Sequence, residues 1–154
     1  MLVWRLSTAQ FAGVFDGGYG LFNNGRWNSK GNRITYCATS PSLCVLEKLV
    51  HIEDPALLPP LKMVAYDVPG DVVSEETAHT SLPADWVHRA VVTQTLGDDW
   101  LKAKSACLMA VPSAVLPLKG SPDLNILINH AHPDAARIDV RSIEDFKLDA
   151  RLLD

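Results

Sequence analysis

The sequence lacks most of the features that mark a functional class at a glance. No apolar run approaches the roughly 20 residues of a membrane-spanning helix. The first residues, Met-Leu-Val-Trp-Arg-Leu-Ser, have neither the charged region nor the long apolar region of a secretory signal. No membrane partner is therefore expected, and the expected location is cytoplasmic. There is no basic stripe: 14 Lys and Arg are mixed with 18 Asp and Glu, for a net charge of −4, which argues against direct nucleic-acid binding. The three cysteines, Cys37, Cys44 and Cys107, form no Cys-x-x-Cys pair and sit among apolar residues. Buried free thiols in a reducing compartment are expected. No Gly-x-Ser-x-Gly marks a nucleophilic serine. His130 and His132 lack an evident third ligand and are followed at once by Pro133, so no metal is expected. Internal repeats and low-complexity linkers are absent as well.

The 154 residues, 47% hydrophobic and 21% charged, suit one packed domain spanning 1–154. Leu2 to Leu6 reads as an edge or first strand carrying Arg5. Phe11 to Asn24 is dense in glycine and aromatics and reads as a loop. Lys30-Gly31-Asn32 is a turn, and Arg33 to Ala38 a strand with Ile34 and Tyr36 on one face. Ser40 can cap a helix with Pro41 at its first position. Leu43, Leu46, Leu49 and Val50 give that helix an apolar stripe through His51, with Glu47 at its margin. Leu61 to Val68 is a strand closed by Pro69-Gly70, and 70–85 is polar and irregular. A helix from about Asp98 to Ser105 follows, then a short buried strand, Ala106 to Val111, stopped by Pro112. Leu124 to Asn129 and Arg137 to Ile143 read as the last strands. Strands and helices do not strictly alternate, so the class is α+β, with small sheets flanked by short helices.

Four side chains stand out chemically. Arg26, in Gly-Arg-Trp-Asn after the glycine-rich stretch, can fork onto phosphate oxygens, though an arginine near a turn is also an ordinary surface residue. Tyr36 offers an aromatic face for a base or nicotinamide, or simply a core ring. Glu47 borders an apolar stripe and needs a partner if buried. Ser113 lies just beyond a buried strand, where clefts often open.

Taken in order, these pieces resemble the RES-domain family, toxins of bacterial toxin–antitoxin pairs. The resemblance rests on Gly25-Arg26-Trp27-Asn28, Tyr36, Ser40-Pro41 and Glu47, then Gly97, Trp100 and Leu101. It continues through Val111-Pro112-Ser113 to Asn125, Leu127, Asn129, His132 and Pro133. It covers nearly the whole chain. The chain departs from the family pattern at Asn24, where a second glycine is frequent, and at His130, where proline is common. The resemblance implies an ADP-ribosyltransferase-like fold with a cleft for NAD⁺. It implies Arg26, Tyr36, Glu47 and Ser113 as catalytic positions, and Arg26, Trp27, Tyr36, Ser113 and Asn129 as dinucleotide contacts. NAD⁺ is then the substrate, and no further cofactor is required.

Cleaving the nicotinamide–ribose bond builds positive charge on the ribose, as in glycoside hydrolysis, and a fixed carboxylate stabilises it. Glu47 is expected in that role, Arg26 on the diphosphate, Tyr36 stacked on the nicotinamide, and Ser113 bonded to the ribose or amide. The expected activity is NAD⁺ depletion by hydrolysis or phosphorolysis. The alternatives are ADP-ribosylation of a cellular protein and a non-catalytic binding module. The resemblance also implies a partner, an Xre-type helix-turn-helix antitoxin that blocks the cleft.

Overall fold

In the computed structural model, which describes residues 1–154, the chain runs β1 (Leu2–Thr8), α1 (Gly18–Phe22), β2 (Ile34–Ala38), α2 (Pro41–Leu49), β3 (Leu61–Asp67), β4 (Ser74–Glu76), α3 (Ala90–Ala103), β5 (Leu108–Pro112), β6 (Leu124–Asn129) and β7 (Asp139–Phe146). The strands form one seven-stranded sheet in the order β4-β5-β6-β2-β1-β3-β7. All neighbours are antiparallel except β4 and β5. The first strand is thus not an edge but lies inside the sheet.

The sheet is nearly divided. β1 pairs with β3 through seven consecutive positions, Leu2↔Asp67 to Thr8↔Leu61, but with β2 only at Trp4↔Ala38. Strand alternation sends Val3, Cys37, Val64, Tyr66, Leu108 and Ile126 into one continuous core. The opposite face carries two separate clusters. Trp27, Trp86, Trp100, Val111 and Leu127 pack over β5, β6 and β2. Ala38, Leu43, Cys44 and Met63 pack near β1 and β3. The seam between those two clusters is where the candidate site lies.

Four elements differ from the sequence reading. The third helix begins at Ala90, eight residues before the expected Asp98. Val91, Val92, Thr93, Thr95 and Gly97 are weak helix formers and Arg89 supplies no side-chain cap; packing against the 25–29 turn, described below, overrides propensity. The glycine-rich stretch contains the five-residue α1, and the irregular 70–85 region contains the exposed edge strand β4. On α2 the buried side is Leu43 and Cys44, whereas Leu46 and Val50 are 40% and 58% exposed. Glu47, three and four residues after Cys44 and Leu43, shares their side and points at the sheet. No helix is long and apolar enough to cross a membrane.

Candidate active site

Glu47 is placed by the start of its helix. Ser40 caps α2, accepting from the Leu43 amide at 3.2 Å, with Pro41 in the first turn. The Ser40 hydroxyl donates to Asp123 Oδ1 at 2.8 Å, and Thr39 Oγ1 accepts from the Leu124 amide at 3.0 Å. These bonds tie the helix start to the start of β6, which carries Asn125. There the Asn125 side-chain amide donates to Glu47 Oε1 at 2.7 Å. The Ser113 hydroxyl donates to the same oxygen at 2.7 Å. Glu47 Oε2 makes no hydrogen bond within the protein, so one carboxylate oxygen is anchored twice and the other is free.

Ser113 has no solvent exposure, and its oxygen also accepts from the Val115 and Leu116 amides at 3.1 and 3.3 Å. A hydroxyl has one hydrogen and two lone pairs, and all are used. The expected bond from Ser113 to a ribose or amide is therefore taken by Glu47. The serine orients the carboxylate instead.

Tyr36 lies on the same sheet face. Ala38 pairs with Asn125 and Tyr36 with Leu127, which puts the tyrosine diagonally beside Asn125, about 7 Å away between backbones. Its hydroxyl donates to Asn28 Oδ1 at 2.6 Å and accepts from the Trp27 amide at 3.1 Å. Burial raises its pKa well beyond the ordinary phenol range, so it stays a donor. With the hydroxyl engaged, only the ring is left for a ligand. The exposed Tyr19 ring of α1 stands edge-on to it at 6.4 Å.

Arg26 sits on a tight turn closed by the Gly25↔Asn28 bridge. One guanidinium nitrogen donates to the Val87 carbonyl at 2.9 Å, which holds the head group and leaves its other N–H donors available. Gly25 is required here, because a Cβ would overlap the Tyr36 hydroxyl. Asn28, fully buried, donates to the Asn23 and Ser29 carbonyls and so braces the same turn.

Two expected dinucleotide contacts lie elsewhere. Trp27 is 1% exposed and packs against Trp86 within the core; its backbone amide, not its indole, serves the site. Asn129 is at the far end of β6, roughly 13 Å from Asn125 by strand rise. It donates to the Leu101 carbonyl and accepts from the Ala131 amide, joining β6 to α3. The cysteines and the paired histidines are held by burial and by local hydrogen bonds. The thiols are buried and unpaired, and burial raises their pKa, that of Cys44 to about 12 and of Cys107 to about 11. His130 bonds to Thr35 Oγ1 at 2.7 Å, while His132 accepts from the Asp134 amide.

Ser113 and Asn125 are thus bonded directly to Glu47, and Tyr36 lies beside Asn125 on the same sheet face. Arg26 sits on the neighbouring turn that Tyr36 and Asn28 hold; Asn125 and Asn28 are additions to the expected set. The sequence model of the RES domain matches residues 2–149. The chain belongs to the RES-domain family. This RES domain is 37% identical over 154 residues to the protein named Toxin Res of Pseudomonas putida, covering 99% of each chain. It is 31% identical to a protein of Sphingobium named Prs ADP-ribosylating toxin, covering 97% of this chain and 95% of that one. Its fold matches the Mycobacterium tuberculosis MbcT–MbcA toxin–antitoxin structure with a TM-score of 0.71 at 16% identity, over 95% of this chain and 84% of that one. The α+β class is the expected one, although the strands form one seven-stranded sheet rather than small sheets, and family membership makes this chain a RES-type toxin.

Proposed function

We propose that this toxin binds NAD⁺ in the seam and cleaves its nicotinamide–ribose bond, depleting the dinucleotide. The observation that carries the reading is the state of Glu47, with Oε1 fixed by Ser113 and Asn125 and Oε2 free. A carboxylate held in this way needs no reorganisation when charge develops beside it. In this reading, the C1′–N bond breaks with its electron pair going to nicotinamide, which leaves neutral and needs no acid. Glu47 stabilises the cationic ribose. Water or phosphate then adds at C1′ and gives up a proton. Arg26 binds the diphosphate through the N–H groups that Val87 leaves free, and the Tyr36 ring stacks on the nicotinamide.

A second reading, transfer of ADP-ribose to a protein, is favoured by the name of the Sphingobium relative. NAD⁺ labelled in its adenylate half separates the two in cell extract. Label recovered as free ADP-ribose or its phosphate supports depletion; label fixed on protein supports transfer. The MbcT–MbcA complex supports an antitoxin as partner of this chain too, and a helix-turn-helix protein of the Xre type that covers the seam is the form we propose.

A further inference from the structure

The 25–29 turn that presents Arg26 is gripped along one side by α3. Thr93 Oγ1 donates to the Arg26 carbonyl at 2.6 Å, Gln94 Nε2 donates to the Gly25 carbonyl at 2.9 Å, and Asp98 Oδ1 accepts from the Ser29 amide at 2.9 Å. Residues 93, 94, 97 and 98 share one helix face. Gly97 lies between the gripping side chains, and a Cβ there would overlap the Trp27 carbonyl. The helix backbone therefore rests directly on the turn.

The Thr93 bond is telling. A helical threonine usually satisfies its hydroxyl on its own helix, and the Ala90 carbonyl is within reach at 3.1 Å. The hydroxyl has one hydrogen, and the shorter contact goes to Arg26. Thr93 is fully buried, so no water replaces that partner. Val87, which holds the guanidinium, lies in the 3-10 turn Trp86–His88, just before α3. One continuous stretch of chain thus holds both the backbone and the head group of Arg26.

We propose that Thr93 and Gln94 are positioning residues for dinucleotide binding, fixing the peptide planes at Gly25 and Arg26 so that the guanidinium meets the diphosphate already in place. The proposal rests on the reading of Arg26 as a phosphate ligand. A side chain anchored at both ends loses little freedom on binding. Because Arg26 would hold the diphosphate equally before and during bond cleavage, loss of its placement raises KM and spares kcat.

The test is nicotinamide release from NAD⁺ by Thr93→Val and Gln94→Leu, with amide hydrogen exchange across residues 25–29. Each variant removes a donor and keeps the side chain's size. KM is expected to rise by about twofold to tenfold in each, kcat to stay within about twofold, and exchange in the turn to accelerate. Thr93→Ser restores both, and Thr93→Val adds nothing to KM in an Arg26→Ala background. An unchanged KM in both single variants, where Arg26→Ala raises it, overturns the proposal. If Arg26→Ala itself leaves KM unchanged, the phosphate reading of Arg26 fails instead. Exchange then judges the grip by itself: faster exchange in both variants upholds it, and unchanged exchange overturns it.

Discussion

Ser113 and Glu47 are joined by a 2.7 Å hydrogen bond that spends the only hydrogen of a fully buried hydroxyl. The end of β5 is thereby locked to α2 across the seam of the sheet. In the proposed reaction the serine acts through the carboxylate, itself having no solvent exposure.

Ser113→Ala removes one of the two donors to Glu47 and the acceptor for two amides. Asn125 still holds the carboxylate. We expect kcat to fall by about 10–10² with KM little changed, and stability to drop by about 1–3 kcal/mol. Steady-state kinetics of nicotinamide release and a urea melt check both.

Tyr36→Phe keeps the ring and deletes the hydroxyl that links Asn28 Oδ1 to the Trp27 amide. Two buried polar groups lose a partner, so the cost is about 1–3 kcal/mol of stability. If the ring is the binding element, KM for NAD⁺ changes less than in Tyr36→Ala. Chemical denaturation and KM for the pair of variants decide this.

Gly97→Ala is ordinarily a favourable change in a helix, worth about 1 kcal/mol. Here the added methyl meets the Trp27 carbonyl. We expect net destabilisation of at least about 1–3 kcal/mol, the usual cost of overpacking, seen as a lower urea midpoint at unchanged slope.

His130 gives stability a pH dependence. Burial lowers its pKa from 6.5 to about 4, with Phe15 packed on its ring, Thr35 bonded to it, and Asp16, Arg5 and Arg33 acting on its charge. In the unfolded chain the ring takes up a proton near pH 6.5; in the folded chain it resists until about pH 4. Protonation therefore favours the unfolded state, and the contribution is full above pH 6.5 and declines as pH falls towards 4. A His130→Gln variant is expected to lose less stability than the parent between these limits, measured by denaturant melts at each pH.

Much of this was legible in the sequence because local chemistry fixed it. Ser40-Pro41 starts a helix by capping alone, and Leu124–Asn129 is a short, mostly apolar run whose ends coincide with those of its strand. Tertiary contacts hid the rest. The first half of α3 reads poorly as helix because Thr93 and Gly97 are chosen for their contact with the 25–29 turn. Leu46 and Val50 looked like the buried stripe of α2, yet the helix crosses the seam on its Leu43 and Cys44 side. Asn125 is legible only as part of the ordered family pattern, and its contact with Glu47 is not, since Glu47 lies 78 residues earlier in the chain. Trp27 and Asn129 belong to the same ordered motifs as Arg26 and Glu47, but their side chains are used for packing and for joining β6 to α3.

We propose that Glu47 is the electrostatic element of an NAD⁺-cleaving site. The most direct measurement is nicotinamide release from NAD⁺ by the purified protein beside Glu47→Gln, with and without phosphate. The glutamine oxygen can still accept from Ser113 and Asn125, so the fold is expected to survive with only the charge removed. The account predicts release by the parent and a loss of about 10²–10³ in kcat in the variant, at closely similar thermal stability. A folded Glu47→Gln protein that releases nicotinamide at the parent's rate would contradict it.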